Sequence, residues 1–245
     1  MNEGHDIDRG ITSVNTEDME NTEVQTFLEA AEWFAAMVNT IPGDAWSGPG
    51  LGEWDLRALV GHTSRALSTV MRGIAQPAAE IDCETAADYV VQTAAIQAGT
   101  ARADDGSSVT ERGVAAGRAL GEQPADAVRV LLEDTRSALR GVATQDPIIT
   151  TIVGGMRLSE YLRTRTFELV VHGLDIQAAL RGSPAALGWS CDAPPAAGIA
   201  LSLDHTSQVA MLRGEGAAIL LALTARNSLE DGYSVLAPSK PQGDA

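Results

Sequence analysis

Apolar residues recur at helical spacing along most of the chain, beginning near Glu23. Phe27, Ala31, Phe34 and Val38 lie three or four residues apart, which puts them on one face of a helix. No segment shows a strong strand pattern, although TIVGGMRL at residues 151–158 is predicted to form a brief hairpin or an extended segment. The helical spacing predicts further helices over residues 54–74, 85–101, 109–120, 124–142, 158–180, 196–212 and 217–226.

The number and length of these helices predict an all-α fold. Four or more long amphipathic helices joined by moderate loops are typical of a helical bundle. We expect the bundle over residues 22–182 and a helical extension over residues 183–237, with disordered polar tails at 1–21 and 238–245. The chain starts without the apolar segment of a secretory signal, and no stretch is apolar for the length of a membrane span. We therefore expect a cytoplasmic monomer or homodimer.

The charge of the chain narrows the classes of partner. Its formal net charge is -16 and no basic stripe offsets it, so nucleic acid and anionic membranes are not expected partners. Of the 17 basic residues only Lys240 is a lysine, a bias that is typical of bacteria with GC-rich genomes. Cys83 and Cys191 lie far apart and match no metal-binding or redox spacing. They are predicted to be free thiols in a reducing cytosol.

The candidate chemistry lies in two of the predicted helices. Glu168 and His172 are four residues apart, so their side chains leave the same face of one helix. That face borders the apolar stripe that includes Leu169 and Ile176, where an unpaired carboxylate would need a cation or hydrogen-bond donors. His62 lies on the apolar face of the second predicted helix. Two histidines and a carboxylate on facing helices would form an open three-ligand metal site with room for water or substrate.

Simpler roles are open for each of these residues. A histidine on an apolar helix face is commonly a hydrogen-bonded core residue, and Glu168 has Arg163 and Arg165 nearby as candidate ion-pair partners. Asp175, three residues after the second histidine, is either an acceptor that orients the imidazole or an exposed helix residue. Trp54 either lines the mouth of the site or packs in the core.

Two segments of the chain resemble a known family. GEWDLRALVGHTSRAL, at residues 52–67, is similar to the first metal-ligand helix of the DinB-like superfamily, and in particular of the mycothiol-dependent maleylpyruvate isomerases. GGMRLSEYLRTRTFELVVHGLDIQAAL, at residues 154–180, resembles that family's second ligand helix. The resemblance implies that His62, Glu168 and His172 are the metal ligands.

The family resemblance also implies a fold and a chemistry. It implies a DinB-like four-helix bundle with C-terminal helical additions, and a bound divalent metal, with zinc favoured over nickel or iron. It further implies a low-molecular-weight thiol cosubstrate, typically mycothiol in actinobacteria. The expected activity is S-transfer to an electrophilic small molecule or its cis–trans isomerisation, with the metal-bound thiolate as nucleophile rather than a protein side chain.

One part of the chain departs from that family. Its characterised isomerases carry a separate mixed α/β domain at the C-terminus that contributes to the active site, whereas the residues after Gly182 are predicted to be helical. Arg226 either replaces an anion-binding arginine of that domain or, as we favour, is a solvated charge at a helix end. Specificity for maleylpyruvate is therefore not carried over. A hydrolase that activates water at the same metal, and a non-catalytic metal-binding module, are the alternative functions.

Overall fold

The structure, a computed structural model, describes residues 16–96, 108–142 and 144–236, with side chains described from residue 22 onward. In these ranges the strands form a single antiparallel hairpin, so the predicted all-α fold is confirmed. The strands are β1 (Ile148–Thr151) and β2 (Gly154–Arg157). The helices are α1 (Thr16–Asn39), α2 (Leu56–Ile74), α3 (Ala86–Ala95), α4 (Val109–Ala119), α5 (Pro124–Arg140), α6 (Leu158–Arg181), α7 (Ala196–Leu212) and α8 (Gly216–Leu223).

The start of α1 and the end of α8 differ from the sequence prediction by several residues, and residues 97–101, the predicted end of the third helix, lie outside the described residues. α1 begins at Thr16, inside the predicted tail, because a polar segment can extend a helix without adding an apolar period. α8 ends at Leu223, before the predicted residue 226, where the backbone of Ala225 takes a left-handed φ of 56°. The rest of the predicted tails, residues 1–15 and 238–245, lies outside the described residues.

Four helices form the bundle that the sequence predicts. α1 and α2 each pack against both α5 and α6, which makes a closed ring of four helices around one apolar core. Burying a large apolar side chain fully stabilises a fold by about 1.5–3 kcal/mol, so this core is the main source of stability. Its fully buried members include Phe27, Phe34, Leu59, Leu67, Val128 and Leu162.

α4 lies on the outer side of α2 and crosses it at very close range. A Cβ atom on Gly61 of α2 would lie 2.1 Å from the backbone nitrogen of Gly117 in α4. A Cβ atom on Gly117 would in turn lie 2.6 Å from the carbonyl oxygen of Arg57. Both glycines are therefore required by the contact of the two backbones. The crossing holds α4 beside the face of α2 that carries His62.

The hairpin packs against the end of α2 and leads directly into the start of α6. A Cβ atom on Gly73, near the end of α2, would contact the Ile149 side chain in β1, and β2 runs directly into α6. The loop after α2 is also fixed here, because the backbone N–H of Gly155 donates to the Asp82 carboxylate at 2.7 Å. α2 and α6 therefore lie antiparallel, and residues near the start of α2 face the middle of α6.

The C-terminal extension is helical, as predicted. α7 packs against α6 and α3, and α8 packs against α7. Gly198 lies at the contact between α7 and α6, where an added Cβ would meet the Val170 side chain at 3.1 Å. Among the helices of the described ranges, none combines the length and the apolar character needed to cross a bilayer.

Candidate metal centre

The three predicted ligands lie together between α2 and α6. The Oε2 atom of Glu168 is 3.2 Å from Nε2 of His172 and 3.8 Å from Nε2 of His62. One ligand atom from each residue can be chosen so that all three lie within 4.8 Å of one another. The helical spacing of Glu168 and His172 and the antiparallel packing of α2 on α6 produce this convergence.

His172 is held by a carboxylate on each side of its ring. Its Nδ1 lies 3.0 Å from Oδ2 of Asp175, and a carboxylate can only accept, so the imidazole donates. Asp175 is therefore the orienting acceptor, one of the two roles that its spacing predicts. Burial alone would lower the pKa of His172, but the hydrogen bonds to Asp175 and Glu168 outweigh it and raise that pKa to about 9.

The neighbours of Glu168 favour its ionised form, although the side chain is partly buried. Burial opposes ionisation, but the neighbouring imidazoles of His172 and His62 and the charge of Arg165 hold the pKa of Glu168 well below its usual range. Arg165 lies 3.9 Å from Oε1 of Glu168, whereas Arg163 pairs with Asp204 across the α6–α7 contact. Of the two arginines that the sequence offered as partners, the structure thus pairs Arg165 with Glu168.

His62 is neutral and lacks a hydrogen bond on one side. Burial lowers the pKa of His62 more than the neighbouring Glu168 raises it. Its Nδ1 atom is buried and finds no hydrogen-bond partner among the described residues. The ring stacks against Trp54 at 4.6 Å and meets the His172 ring edge-on at 4.9 Å. A neutral imidazole keeps a lone pair, which is the form that binds a metal ion.

Trp54 borders the centre as well as packing beside it. Its indole Nε1 donates to the carbonyl oxygen of Thr110 at 3.1 Å, and its ring lies where a Cβ atom of Gly113 would be. The side chain also lines the cavity next to His62. Both roles that the sequence allowed for Trp54, at the mouth of the site and in packing, are therefore present.

The donor set fits a small divalent ion. Zinc binds imidazole nitrogen and carboxylate oxygen at about 2.0–2.2 Å, so neighbouring ligand atoms on a tetrahedral ion lie roughly 3.4 Å apart. The separations of 3.2 and 3.8 Å around Glu168 are close to that value. Two nitrogens and one oxygen are also a set that zinc, nickel and iron all accept. Three ligands leave a coordination position for an outside molecule.

A cavity of about 430 Å³ adjoins the centre. All three candidate ligands line it, together with side chains from α3, α4 and α7. Neither Cys83 nor Cys191 is among the lining residues, and both are free thiols, as predicted. Burial raises the pKa of the Cys83 thiol to about 11, so this sulfur is not a ready nucleophile at neutral pH.

His205 of α7 is a cavity residue that the sequence prediction missed. It is fully buried, meets the Phe167 ring edge-on at 5.1 Å, and lines the same cavity. Neither of its ring nitrogens finds a hydrogen-bond partner within the described ranges, and burial lowers its pKa to about 4. The sequence carries one signal of this burial. Ser202, His205 and Val209 recur at helical spacing, and the small residue Gly198 lies four residues before Ser202 on the same face.

Arg226 does not take part in this site. It is exposed just after α8, and its guanidinium donates to the carbonyl oxygen of Thr224 at 3.2 Å. It is absent from the described residues that line the cavity. The favoured interpretation, a solvated charge near a helix end, agrees with this position.

Comparison with known proteins identifies the family of the chain. No curated protein and no solved structure shows significant similarity to it. Residues 27–177 match the family described as the mycothiol maleylpyruvate isomerase N-terminal domain. That range includes His62, Glu168 and His172 and covers more than half of the chain. The protein therefore belongs to the mycothiol maleylpyruvate isomerase N-terminal domain family.

Proposed function

We propose that the protein is a metal-dependent enzyme that uses a low-molecular-weight thiol of the mycothiol type. It transfers the thiol to an electrophilic small molecule or uses it to isomerise a cis double bond to trans. The observation that supports this proposal best is the convergence of His62, Glu168 and His172 beside a cavity, in a chain of a mycothiol-related family. We propose zinc as the ion, with nickel or iron as alternatives.

The proposed role of the three ligands is to hold the ion with one position open towards the cavity. A divalent ion bound there would lower the pKa of a thiol at that position, so that thiolate is present at neutral pH. Asp175 holds the His172 ring by its Nδ1–H and so directs Nε2 to the ion. Arg165 neutralises the outer oxygen of Glu168, which leaves Oε2 to face both histidines.

The nucleophilic sulfur is proposed to come from solution. Cys83 and Cys191 do not line the cavity, and the raised pKa of each thiol keeps it protonated at neutral pH. The outside thiolate would attack an electrophilic carbon and form a carbon–sulfur bond. Attack on an activated double bond would move its π electrons onto the conjugated acceptor group. Protonation of that carbanion and release of the adduct is S-transfer, whereas rotation about the former double bond and expulsion of the thiolate, which re-forms the double bond, is isomerisation. The two unpaired cysteines also support a reducing, cytoplasmic location.

A thiol-dependence experiment tests this function. Purified protein is loaded with cobalt, and the spectrum is followed as mycothiol is added. We expect a sulfur-to-metal charge-transfer band, and turnover of an activated electrophile only when the thiol is present. The double variant Cys83→Ser, Cys191→Ser is the matched control, because it removes both protein sulfurs and should leave the band and the turnover unchanged.

Three outcomes would contradict the proposal. A spectrum that does not respond to thiol, with turnover that needs only water, would favour the hydrolase. Loss of turnover in the cysteine-free variant, with its fold intact, would make a protein sulfur the nucleophile. A metal that raises the melting temperature, with no turnover of any electrophile tested, would favour a non-catalytic metal-binding module.

A further inference from the structure

Helix α8 is apolar on every side, yet none of its residues is buried. Its sequence is GAAILLAL, and each residue is exposed or half-buried. α8 packs against α7, and Ile219 is the one residue that α8 supplies to the small apolar cluster around Val209, as far as the described residues show. A helix that is apolar all round is normally buried, and a helix of eight residues is marginal on its own in water. α8 thus has the composition of a buried helix in an exposed position.

One face of α7 is also open to solvent and carries no charge. Ala196, Ala200, Leu203, Ser207 and Met211 are spaced by three or four residues, so they lie on one face of the helix. All five residues are exposed. The two large side chains among them, Leu203 and Met211, expose 65% and 70% of their surface. These five residues form a strip along the whole length of α7.

The strip on α7 meets α8 at Met211. A Cβ atom on Gly216, the first residue of α8, would overlap the sulfur atom of Met211, so the end of the strip lies against the start of α8. We call the strip, the last residue of α7 and α8 together the α7–α8 face. Between 42% and 81% of the surface of each of its large apolar residues is exposed. These residues are Leu203, Met211, Leu212, Leu220, Leu221 and Leu223.

The size of the α7–α8 face fits a protein interface. At roughly 200 Å² for a large apolar side chain that is fully exposed, the six residues present roughly 750 Å² at their exposed fractions. The largest apolar patch on a typical monomer is about 300–600 Å², whereas each partner in a stable interface buries about 800 Å². The face is therefore larger than an ordinary surface patch and close in area to one side of a stable dimer.

The charge of the molecule indicates which partner fits the face. No charged residue lies between Glu215 and Arg226, and Asp204, beside the strip, is paired with Arg163. The formal net charge of the chain is -16, so two copies repel one another wherever their acidic surfaces meet. A two-fold interface places the same surface of each copy against itself. An uncharged apolar surface can be placed in this way without burying like charges.

The segments outside the described ranges are poor in side chains that could cover this face. Residues 97–107 and 237–245 contain no valine, leucine, isoleucine, methionine or aromatic residue. Residues 1–15 contain four such residues, fewer than the six large side chains of the face, and three acidic residues beside them. The composition of the chain therefore favours a second molecule over one of these segments as the occupant.

We propose that the α7–α8 face is a two-fold interface on which a second copy of this chain docks. In the dimer, α8 lies between its own α7 and the same face of the second copy, which gives it the cover that its composition requires. The inference is independent of the proposed thiol chemistry, because none of the six large residues of the face is among the described residues that line the cavity beside the metal centre.

Sedimentation velocity of the full chain from about 1 to about 100 µM tests the interface. We expect a dimer at the higher concentrations that dissociates on dilution. Leu220→Glu would bring like charges together across the interface, so it should raise the dissociation constant by at least about 100-fold. Leu187→Glu is the matched control, because it makes the same change at a residue that is 95% exposed outside the face, and it should leave the dimer unchanged.

Two further measurements protect the test against a folding defect. Leu203→Glu makes the same change on α7 and should also give a monomer, with helical circular dichroism and metal content like the wild type, even if Leu220→Glu disturbs α8. The variants Leu220→Glu and Leu220→Lys should each be monomeric alone and should form a dimer when mixed, because opposite charges then meet across the interface. Such a mixed dimer requires that both partners present the same face.

Each remaining outcome overturns the proposal. A wild type that stays monomeric up to about 100 µM would exclude a stable dimer. If deletion of residues 1–15 then produced a dimer, that segment would be the occupant of the face. If the monomer instead bound vesicles of phosphatidylcholine and Leu220→Glu did not, the face would dock on lipid. A dimer that survives both Leu203→Glu and Leu220→Glu would place the contact between copies on another surface.

Discussion

The affinity of the candidate centre for a metal ion should fall as the pH is lowered below about 9. In the metal-free protein, the carboxylates of Asp175 and Glu168 raise the pKa of His172 to about 9. At neutral pH the Nε2 atom that faces Glu168 therefore carries a proton. A metal ion can bind this nitrogen only after the proton leaves, so proton and metal compete for one atom.

The size of this competition follows from the pKa of His172. A pH of 7 is about two units below the pKa of the His172 imidazole. Removing its proton at that pH costs roughly 2.7 kcal/mol, which lowers the metal affinity by about 100-fold. The pKa of His62 is lowered, so that residue adds no competition at pH 7. One proton should be released for each ion bound between pH 7 and pH 8. Because the folded-state pKa of His172 is raised, its ionisation stabilises the metal-free protein fully below about pH 6.5. This contribution is lost as the pH rises through about 9.

Zinc affinity measured against a chromophoric chelator from pH 6 to pH 10 checks this reasoning. The logarithm of the affinity should rise by about one per pH unit and level off near pH 9. In the control variant Asp175→Asn the levelling point should move to lower pH, because the main group that raises the pKa of His172 is gone. Its affinity at pH 10 should also be weaker, by about 10- to 100-fold. A wild-type affinity that is flat between pH 6 and pH 8, or an unchanged levelling point in the variant, would refute the argument.

Three other changes test the ligands, the tail and the helix crossing. Purified protein should contain about one divalent ion per chain, and the His172→Ala variant should lose most of this metal. Full metal content in the double variant His62→Ala, His172→Ala would reject the site. Deletion of residues 1–15, which show no apolar periodicity, should leave metal content and melting temperature unchanged; a drop of many degrees would show that they dock on the bundle. Gly61→Ala should lower the free energy of unfolding by about 1–3 kcal/mol in denaturant titrations. The control variant Gly43→Ala, which has open space around the added Cβ, should change that free energy by no more than about 0.5 kcal/mol. Equal effects of the two substitutions would contradict the close crossing of α2 and α4.

The helices were predictable because local signals agree with their packing. Ser108 and Glu111 form a capping box at the start of α4, and Pro124 occupies the first turn of α5. Both helices begin where the spacing of apolar residues predicts. The pair of Glu168 and His172 was predictable for a similar reason, since a spacing of four residues fixes two side chains on one face whatever surrounds the helix.

The periodicity of apolar residues did not predict that α2 packs face to face against α6. The pattern shows that His62 lies on an apolar face, but several helices could pack on that face, and only the family resemblance singled out α6. The structure gives the physical reason in the hairpin, where β1 contacts the end of α2 and β2 leads into α6. Long-range contacts of this kind, such as the bond from Gly155 to Asp82, leave no mark on the spacing of apolar residues.

The arginine-lined cavity was hidden from the sequence for a different reason. Net charge is a sum over the chain, and a value of -16 conceals several arginines that share one concave surface. Arg65 and Arg112 are far apart in the sequence and come together because Gly61 and Gly117 let α4 approach α2. The absence of a basic stripe along the sequence therefore says nothing about which charged side chains line a cavity that folding assembles.

The C-terminal extension bears on the site through α7. The family match ends at residue 177, yet His205 of α7 forms part of the wall of the cavity that holds the candidate ligands. α7 is fixed there by Arg163 of α6, which pairs with Asp204, and by the packing of Gly198 against Val170. The candidate ligands thus lie within the matched domain, whereas the shape and polarity of the cavity also depend on a segment outside it.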